Sequence, residues 1–357
     1  MLRPNYMTPA NEEGRTTSRP GKASGIMDLS RLDVSIALSD NPRTRPLLEG
    51  RVQVEGLRLI PTAVHPSEMF WRQLHFADFD ISEMSMSSLL IAASQGDRRW
   101  VGIPVFTSRR FFHTGVLVRK DSGIDSPAQL AGRKVGVPEY QQTAAIWSRG
   151  ALQDEFDVSP ASIEWFMERG PSVSHGSATG FRPPPGVTIN QIPPDSSIGQ
   201  MMMSGELDAT LLYIADRNLV DRSRADLSGV AKPLFPDQAK EGLRYHQATG
   251  LYPINHTVVV RRTLLERHPW IALNLYTGFL NATNVLLDAT KAWVEPAIET
   301  GTVDATSASL LTRNAMPYGF TGGRKELETV ARYVHHQGLT DRVIQLDEIF
   351  AESTLGL

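Results

Sequence analysis

The feature that most constrains this chain is a short segment that occurs twice. His256-Thr257-Val258-Val259-Val260-Arg261-Arg262 sets a histidine and a threonine before a β-branched run closed by two cations. The earlier copy, His113-Thr114-Gly115-Val116-Leu117-Val118-Arg119-Lys120, keeps the same order. A short apolar run bounded in this way reads as a strand buried on both faces. Each copy is followed by a proline-containing polar segment, at Ser126-Pro127 and at His268-Pro269. Two such strands suit a chain that leaves one α/β lobe and later returns to it, with crossovers at about 109–116 and 246–260. If the two strands lie side by side, both histidines stand on the floor of one interlobe cleft.

The remainder of the chain fits two lobes. Val34–Leu38 alternates apolar and polar residues and ends at Ser39-Asp40-Asn41-Pro42, a strand feeding a turn. Val52–Leu59 alternates again and is expected to be the second strand. A helix follows over Pro66–Leu74, with Met69, Phe70 and Leu74 on one face. A strand ending near Ser85 passes into a helix over 86–95 that Ser85 or Ser87 would cap, and Trp100–Phe106 is a further strand. Lys134–Val137 is a strand, and a helix is expected from about 141 to Phe156. Residues 170–187, rich in Gly, Pro and Ser, read as a surface insertion. Helices dominate from Pro269 onward, notably 269–291 and 324–337. Strands alternating with helices give an α/β class with largely parallel sheets. The expected division is one lobe from 29–108 plus 258–357 and another from 113–245.

Composition narrows the function. At 357 residues the chain exceeds one average domain. A net charge of -3 gives no electrostatic footprint for nucleic acid or an anionic membrane. With no cysteine, disulfides, thiolate nucleophiles and thiolate metal sites are excluded together. Residues 1–28 are rich in Pro, Gly, Ser, Thr and Arg without an apolar run of signal-peptide length. They are expected to form a disordered leader, and the protein to be cytoplasmic. Nothing matches a Walker loop, a dinucleotide glycine fingerprint or a Ser-His-Asp elbow. The long C-terminal helices are compatible with a homo-oligomer.

Leu130-Ala131-Gly132-Arg133-Lys134-Val135-Gly136-Val137 and Gly205-Glu206-Leu207-Asp208-Ala209 resemble steps of the type 2 periplasmic-binding-protein fold, two lobes around a cleft. More of the chain resembles one enzymatic offshoot, the 4,5-dihydroxyphthalate decarboxylase family. The similar segments are Ile103–His113, Val135–Gly150, Leu234–Asp237 and Thr249–Val259. Two positions depart from the family's pattern. An arginine usual before the first histidine is Phe112 here, and the methionine of its "P-I-M-H" is Asn255. The resemblance implies non-oxidative decarboxylation of a hydroxylated aromatic carboxylate. The alternative it leaves open is a solute-binding or sensor protein that holds an aromatic acid without catalysis.

Such a reaction protonates the ring carbon bearing the carboxylate, so it needs cations, a general acid near neutrality and an acceptor for a phenol proton. No redox cofactor is expected. His113 and His256 are the acid/base candidates, against a reading in which each merely fixes the hinge. A divalent metal held by His113, His256 and Glu83, or by Glu139 in its place, is the minority alternative. Arg109 and Arg110 are candidate carboxylate clamps; the bland reading is a solvated basic turn. Glu139, Gln142 and Thr143 stand at the mouth of the helix from about 141, whose N–H groups suit an anion. Trp147, one turn on from Thr143, is a candidate for stacking on the substrate or for packing the second lobe. Thr249, Tyr252 and Asn255 are candidate cleft-lining groups beside Pro253.

Overall fold

A computed structural model describes residues 31–357. The leader assigned to 1–28 lies outside the described residues. Eleven strands are described: β1 (Leu32–Leu38), β2 (Leu57–Ala63), β3 (Ile81–Ser85), β4 (Trp100–Arg109), β5 (Leu117–Arg119), β6 (Lys134–Val137), β7 (Glu164–Met167), β8 (Thr188–Gln191), β9 (Ala209–Thr210), β10 (Ala231–Pro233) and β11 (Ile254–Arg261). They form two sheets, ordered β2-β1-β3-β11-β4 and β10-β5-β9-β6-β7-β8. Pairing is parallel except at β11, which runs antiparallel to β3 and β4, and at β5, antiparallel to β9 and β10.

β11 comes late in the chain yet lies inside the first sheet, which explains its composition. Val258, Val259 and Val260 are fully buried, each contributing about 1.5–3 kcal/mol through burial. Ile254 pairs with Arg109, so the outgoing and returning crossovers run side by side at one end of this sheet.

Three expectations are corrected. The two like segments do not lie side by side, because the run after His113 enters the second sheet as β5 and the run after His256 enters the first as β11. His113 itself belongs to a short 3₁₀ turn, Phe112–Gly115, on the way out. The second strand begins at Leu57 rather than Val52: Gly56 turns the chain at φ +73°, and Val52 and Val54 are buried from the loop before it. Residues 170–187 are not a surface insertion throughout. They include the helix His175–Thr179, whose His175, Gly176 and Thr179 are buried against the helix Pro66–Phe76 of the first lobe.

Candidate active site

Ligands of open α/β sheets collect beyond the carboxyl ends of the strands. Here the segments following β2, β3 and β4 and the start of β11 meet the second lobe around a cavity of about 250 Å³. Its walls come from His65–Ser67 and Phe70 of the first lobe, Gln142–Ala144 and His175 of the second, and Arg110, Phe112, Asn255 and His256 of the crossovers.

His256 sits where β11 enters the sheet, opposite Ser85 of β3. Its Nδ1 lies 3.2 Å from Oε2 of Glu83 on β3, and its Nε2 lies 2.8 Å from the Asn255 amide nitrogen. With the amide N–H directed at Nε2, the ring donates Nδ1–H to the carboxylate and keeps a lone pair at Nε2. Glu83 is fully buried and also accepts from the Ser39 N–H, the Ser39 hydroxyl and the Thr107 hydroxyl. Burial pushes its pKa up, but His256, Ser39 and Thr107 together hold it below the ordinary carboxylate value. A buried, charged glutamate thus orients the ring and would stabilise its imidazolium form.

His65 supplies the complementary tautomer. As the N-cap of Pro66–Phe76 it accepts the Ser67 N–H at Nδ1, 3.3 Å away, which leaves the proton of a neutral ring on Nε2. Burial lowers its pKa, so the neutral ring is favoured. The cavity is therefore lined by one ring with a basic Nε2 and another whose Nε2 carries hydrogen.

The opposite wall offers groups that suit an anion, although Asp216 also lines the cavity. The helix Thr143–Phe156 begins at Gln142, which makes no side-chain cap, and Ala144 in its first turn lines the cavity. The first N–H groups of a helix have no partner within it and carry its positive dipole end. Thr143 bridges the lobes instead: its Oγ1 is 2.7 Å from the Ser85 hydroxyl and accepts the Ser87 N–H at 2.8 Å. Ser85 thus heads the helix Met86–Ser94, yet its hydroxyl is drawn to Thr143 rather than to its own helix. Arg110 is exposed, lines the same cavity and has no side-chain hydrogen bond or ion pair among the described residues.

Behind this wall lies a cluster that sequence reasoning missed. Arg169 is fully buried, bonded to both Asp221 oxygens at 2.6 and 2.9 Å and to the Ser67 hydroxyl at 2.7 Å. With its amide oriented to match its neighbours, Gln142 offers its oxygen to Arg169 at 3.1 and 3.2 Å. His175 faces acceptors with both nitrogens, the Ser67 carbonyl at 2.8 Å and Glu139 at 3.2 Å. Burial, opposed by Glu139, pulls its pKa down. Phe70 packs edge-on against both His175 and His256, at 5.9 and 4.7 Å between ring centres. Arg169 borders and His175 lies within the segment taken as an insertion, so composition concealed them. His65-Pro66 was detectable as an N-cap followed by proline.

Of the sequence candidates, the cavity gathers Arg110, Gln142, Thr143, Asn255 and His256. The expectation of two histidines on one floor is corrected: His113 lines no part of this cavity. It is 1% exposed, 3.1 Å from Glu241 and packed on Phe235 and Tyr245. Arg109 turns the other way, donating to the Tyr252 carbonyl and pairing with Glu326. Tyr252 returns a hydroxyl bond to the Arg109 carbonyl, and Thr249 bonds the Tyr245 carbonyl at a helix end. Glu139 is buried behind the wall, accepting from the His175 N–H at 2.7 Å. Trp147 is also buried, donating from Nε1 to the Ile254 carbonyl at 2.8 Å, so it ties the second lobe to β11. The set His113, His256 and Glu83 is not brought together, since His113 takes Glu241 and His256 takes Glu83. Among the described residues no group of three or more His, Cys, Asp and Glu side chains is placed to hold a metal ion. No described helix is long and apolar enough to cross a membrane.

Comparison with known proteins adds to this geometry. No protein-family model matches the chain. It is similar to a 4,5-dihydroxyphthalate decarboxylase of Comamonas testosteroni, 33% identical over 333 residues, covering 92% of this chain and 98% of that protein. A 4,5-dihydroxyphthalate decarboxylase of Pseudomonas putida is 35% identical over 183 residues, 51% of this chain and 71% of that protein. Among solved structures, the alkanesulfonate-binding protein SsuA from Xanthomonas axonopodis pv. citri bound to MOPS superposes with a TM-score of 0.51 at 11% identity, covering 89% of this chain and 97% of that one. The desulfurization enzyme DSZB gives 0.50 at 15% identity, covering 90% and 98%. At such identities these two speak to the fold alone, which is that of the type 2 periplasmic binding proteins.

Proposed function

The chain belongs to the 4,5-dihydroxyphthalate decarboxylase family, and from that premise we propose that it decarboxylates a hydroxylated aromatic acid of the 4,5-dihydroxyphthalate kind in the interlobe cavity. The reaction adds one proton to the carboxylated ring carbon and breaks the bond to the carboxyl group. The electron pair of that bond returns to the ring, and CO2 leaves. No electron is transferred to or from the substrate, so we expect no redox cofactor.

Arg110 and the open N-terminus of Thr143–Phe156 hold carboxylate in this reading, with the Gln142 amide held in place by Arg169. When substrate displaces the Asn255 amide from Nε2, His256 accepts the phenol proton there, and Glu83 stabilises the resulting imidazolium. Loss of the phenol proton raises electron density at the para carbon that carries the carboxylate. His65, neutral with hydrogen at Nε2, donates a hydrogen bond to the bound acid, while the His256 imidazolium passes its proton to that carbon and the product phenolate regains a proton from solvent. The observation that carries this reading is the Glu83–His256 pair facing an uncapped helix N-terminus and an unpaired arginine.

The experiment is anaerobic incubation with 4,5-dihydroxyphthalate and a panel of hydroxybenzoates, following CO2 with and without EDTA. The expected result is CO2 release that survives EDTA. Release abolished by EDTA would bring a divalent metal into the reaction. Thermal stabilisation by a panel member without CO2 would overturn catalysis in favour of a binding or sensor role. We propose a cytoplasmic enzyme, supported by relatives named as decarboxylases rather than transport receptors. Recovery with a periplasmic marker on cell fractionation would overturn that assignment.

A further inference from the structure

A second cavity, of about 540 Å³, meets the first at Pro66 and His256. Its far wall is the helix Ile271–Glu299, which presents Thr283, Leu286, Leu287 and Thr290, spaced as one helical stripe. Leu311 and Met316 close it from the segment that follows. Leu286, Leu287, Leu311 and Met316 belong to none of the apolar clusters that form the core of the described residues. Apolar side chains that stay out of the core and converge on a cavity beside an acid/base pair mark a binding surface.

Two of the three cations at this cavity already have their donors engaged. Arg43 donates to the Tyr318 hydroxyl, the Asn314 side chain and the Met316 carbonyl, and Arg109 is paired with Glu326. Arg313 stands exposed at the rim. The leucine-lined side of this space suits a neutral apolar group attached to whatever ring occupies the first cavity.

We propose that the second cavity is a substituent subsite, and that the preferred substrate is a hydroxylated aromatic carboxylate bearing an alkyl or aryl group. This rests on the assignment of the first cavity as the substrate site. On 4,5-dihydroxyphthalate the only free ring positions are C3 and its equivalent C6, so the probes are that acid and its 3-propyl and 3-phenyl derivatives.

Binding is measured by calorimetry in a Glu83→Gln background, in which turnover is suppressed, and CO2 release is followed separately in the wild-type protein. In that background the substituted acids bind about tenfold or more tighter than the parent, as burial of a few methylenes implies. Leu287→Asp removes that gain and leaves parent binding unchanged; Leu311→Asp, from a separate and exposed segment, does the same. Equal binding of all three acids, or equal weakening of all three in both variants, overturns the subsite. A change of oligomeric state in both variants, read by light scattering, also overturns it, because the apolar surface then serves a second copy of the chain. Binding preference without CO2 release leaves the subsite standing and removes the decarboxylase reading.

Discussion

His256 and His113 begin two segments of nearly the same sequence, and each ring has a glutamate beside it. The surroundings separate them. Glu83, the partner of His256, is buried and satisfied by three further donors from Ser39 and Thr107. The ring it orients lies at a cavity wall with its Nε2 held only by an amide. Glu241, the partner of His113, also binds Arg244, and the ring between them is closed in by Phe235 and Tyr245. A histidine with a carboxylate is therefore not a catalytic signature by itself; access to the remaining nitrogen makes the difference.

The largest test of that contrast is substitution of the carboxylate–histidine pair in the cleft. His256→Asn and Glu83→Gln should each lower kcat by about 10²–10⁴-fold. His256→Asn should also lower the melting temperature, because it takes from the buried Glu83 carboxylate the partner that most favours its charge. Next in size, Arg110→Ala should raise KM by about tenfold to a hundredfold, the worth of one charge-assisted hydrogen bond, with a smaller change in kcat. An effect confined to kcat would contradict carboxylate holding.

At His113 the effect should appear in stability. His113→Asn should cost about 1–3 kcal/mol in denaturant unfolding and change kcat by less than about threefold. The pH dependence follows from the same burial. Desolvation depresses the folded-state pKa of His113 below its unfolded value, with Glu241 opposing it in part. The unfolded chain therefore binds a proton that the folded chain refuses. This contribution to stability is present above about pH 6.5 and is lost as pH falls from there through the lower folded-state value. His175 acts in the same direction. The melting temperature should fall between pH 7 and 5, and His113→Asn should flatten that fall. The smallest effect on activity is expected at Trp147. Trp147→Phe removes the bond to the Ile254 carbonyl and part of a fully buried ring, and should cost about 1–3 kcal/mol of stability, without loss of substrate affinity beyond about threefold.

Much of the fold was legible because it depends on local pattern. The β-branched run 258–260, the strand Lys134–Val137 and the helix from 143 follow from periodicity and glycine turns. Sheet membership was not legible, since the two like strands enter different sheets and nothing local to either determines which neighbour it takes. The site was half legible. Arg110, Gln142, Thr143, Asn255 and His256 line the cavity, whereas Arg109, next to Arg110, points to Glu326 because alternation along an extended chain sends neighbours to opposite sides. Arg169, Asp221 and His175 come together only through tertiary contacts from distant positions, and no spacing in the sequence announces them.

The central claim is that of two like histidines, the one in the cleft does chemistry and the other holds structure. The most direct measurement is the initial rate of CO2 release from 4,5-dihydroxyphthalate by the wild-type protein, His256→Asn and His113→Asn side by side, each with its melting temperature. The expected result is turnover lost in His256→Asn well beyond what its unfolded fraction explains, and stability lowered with turnover kept for His113→Asn. Turnover kept in His256→Asn, or abolished in a His113→Asn protein that melts like the wild type, would contradict the claim.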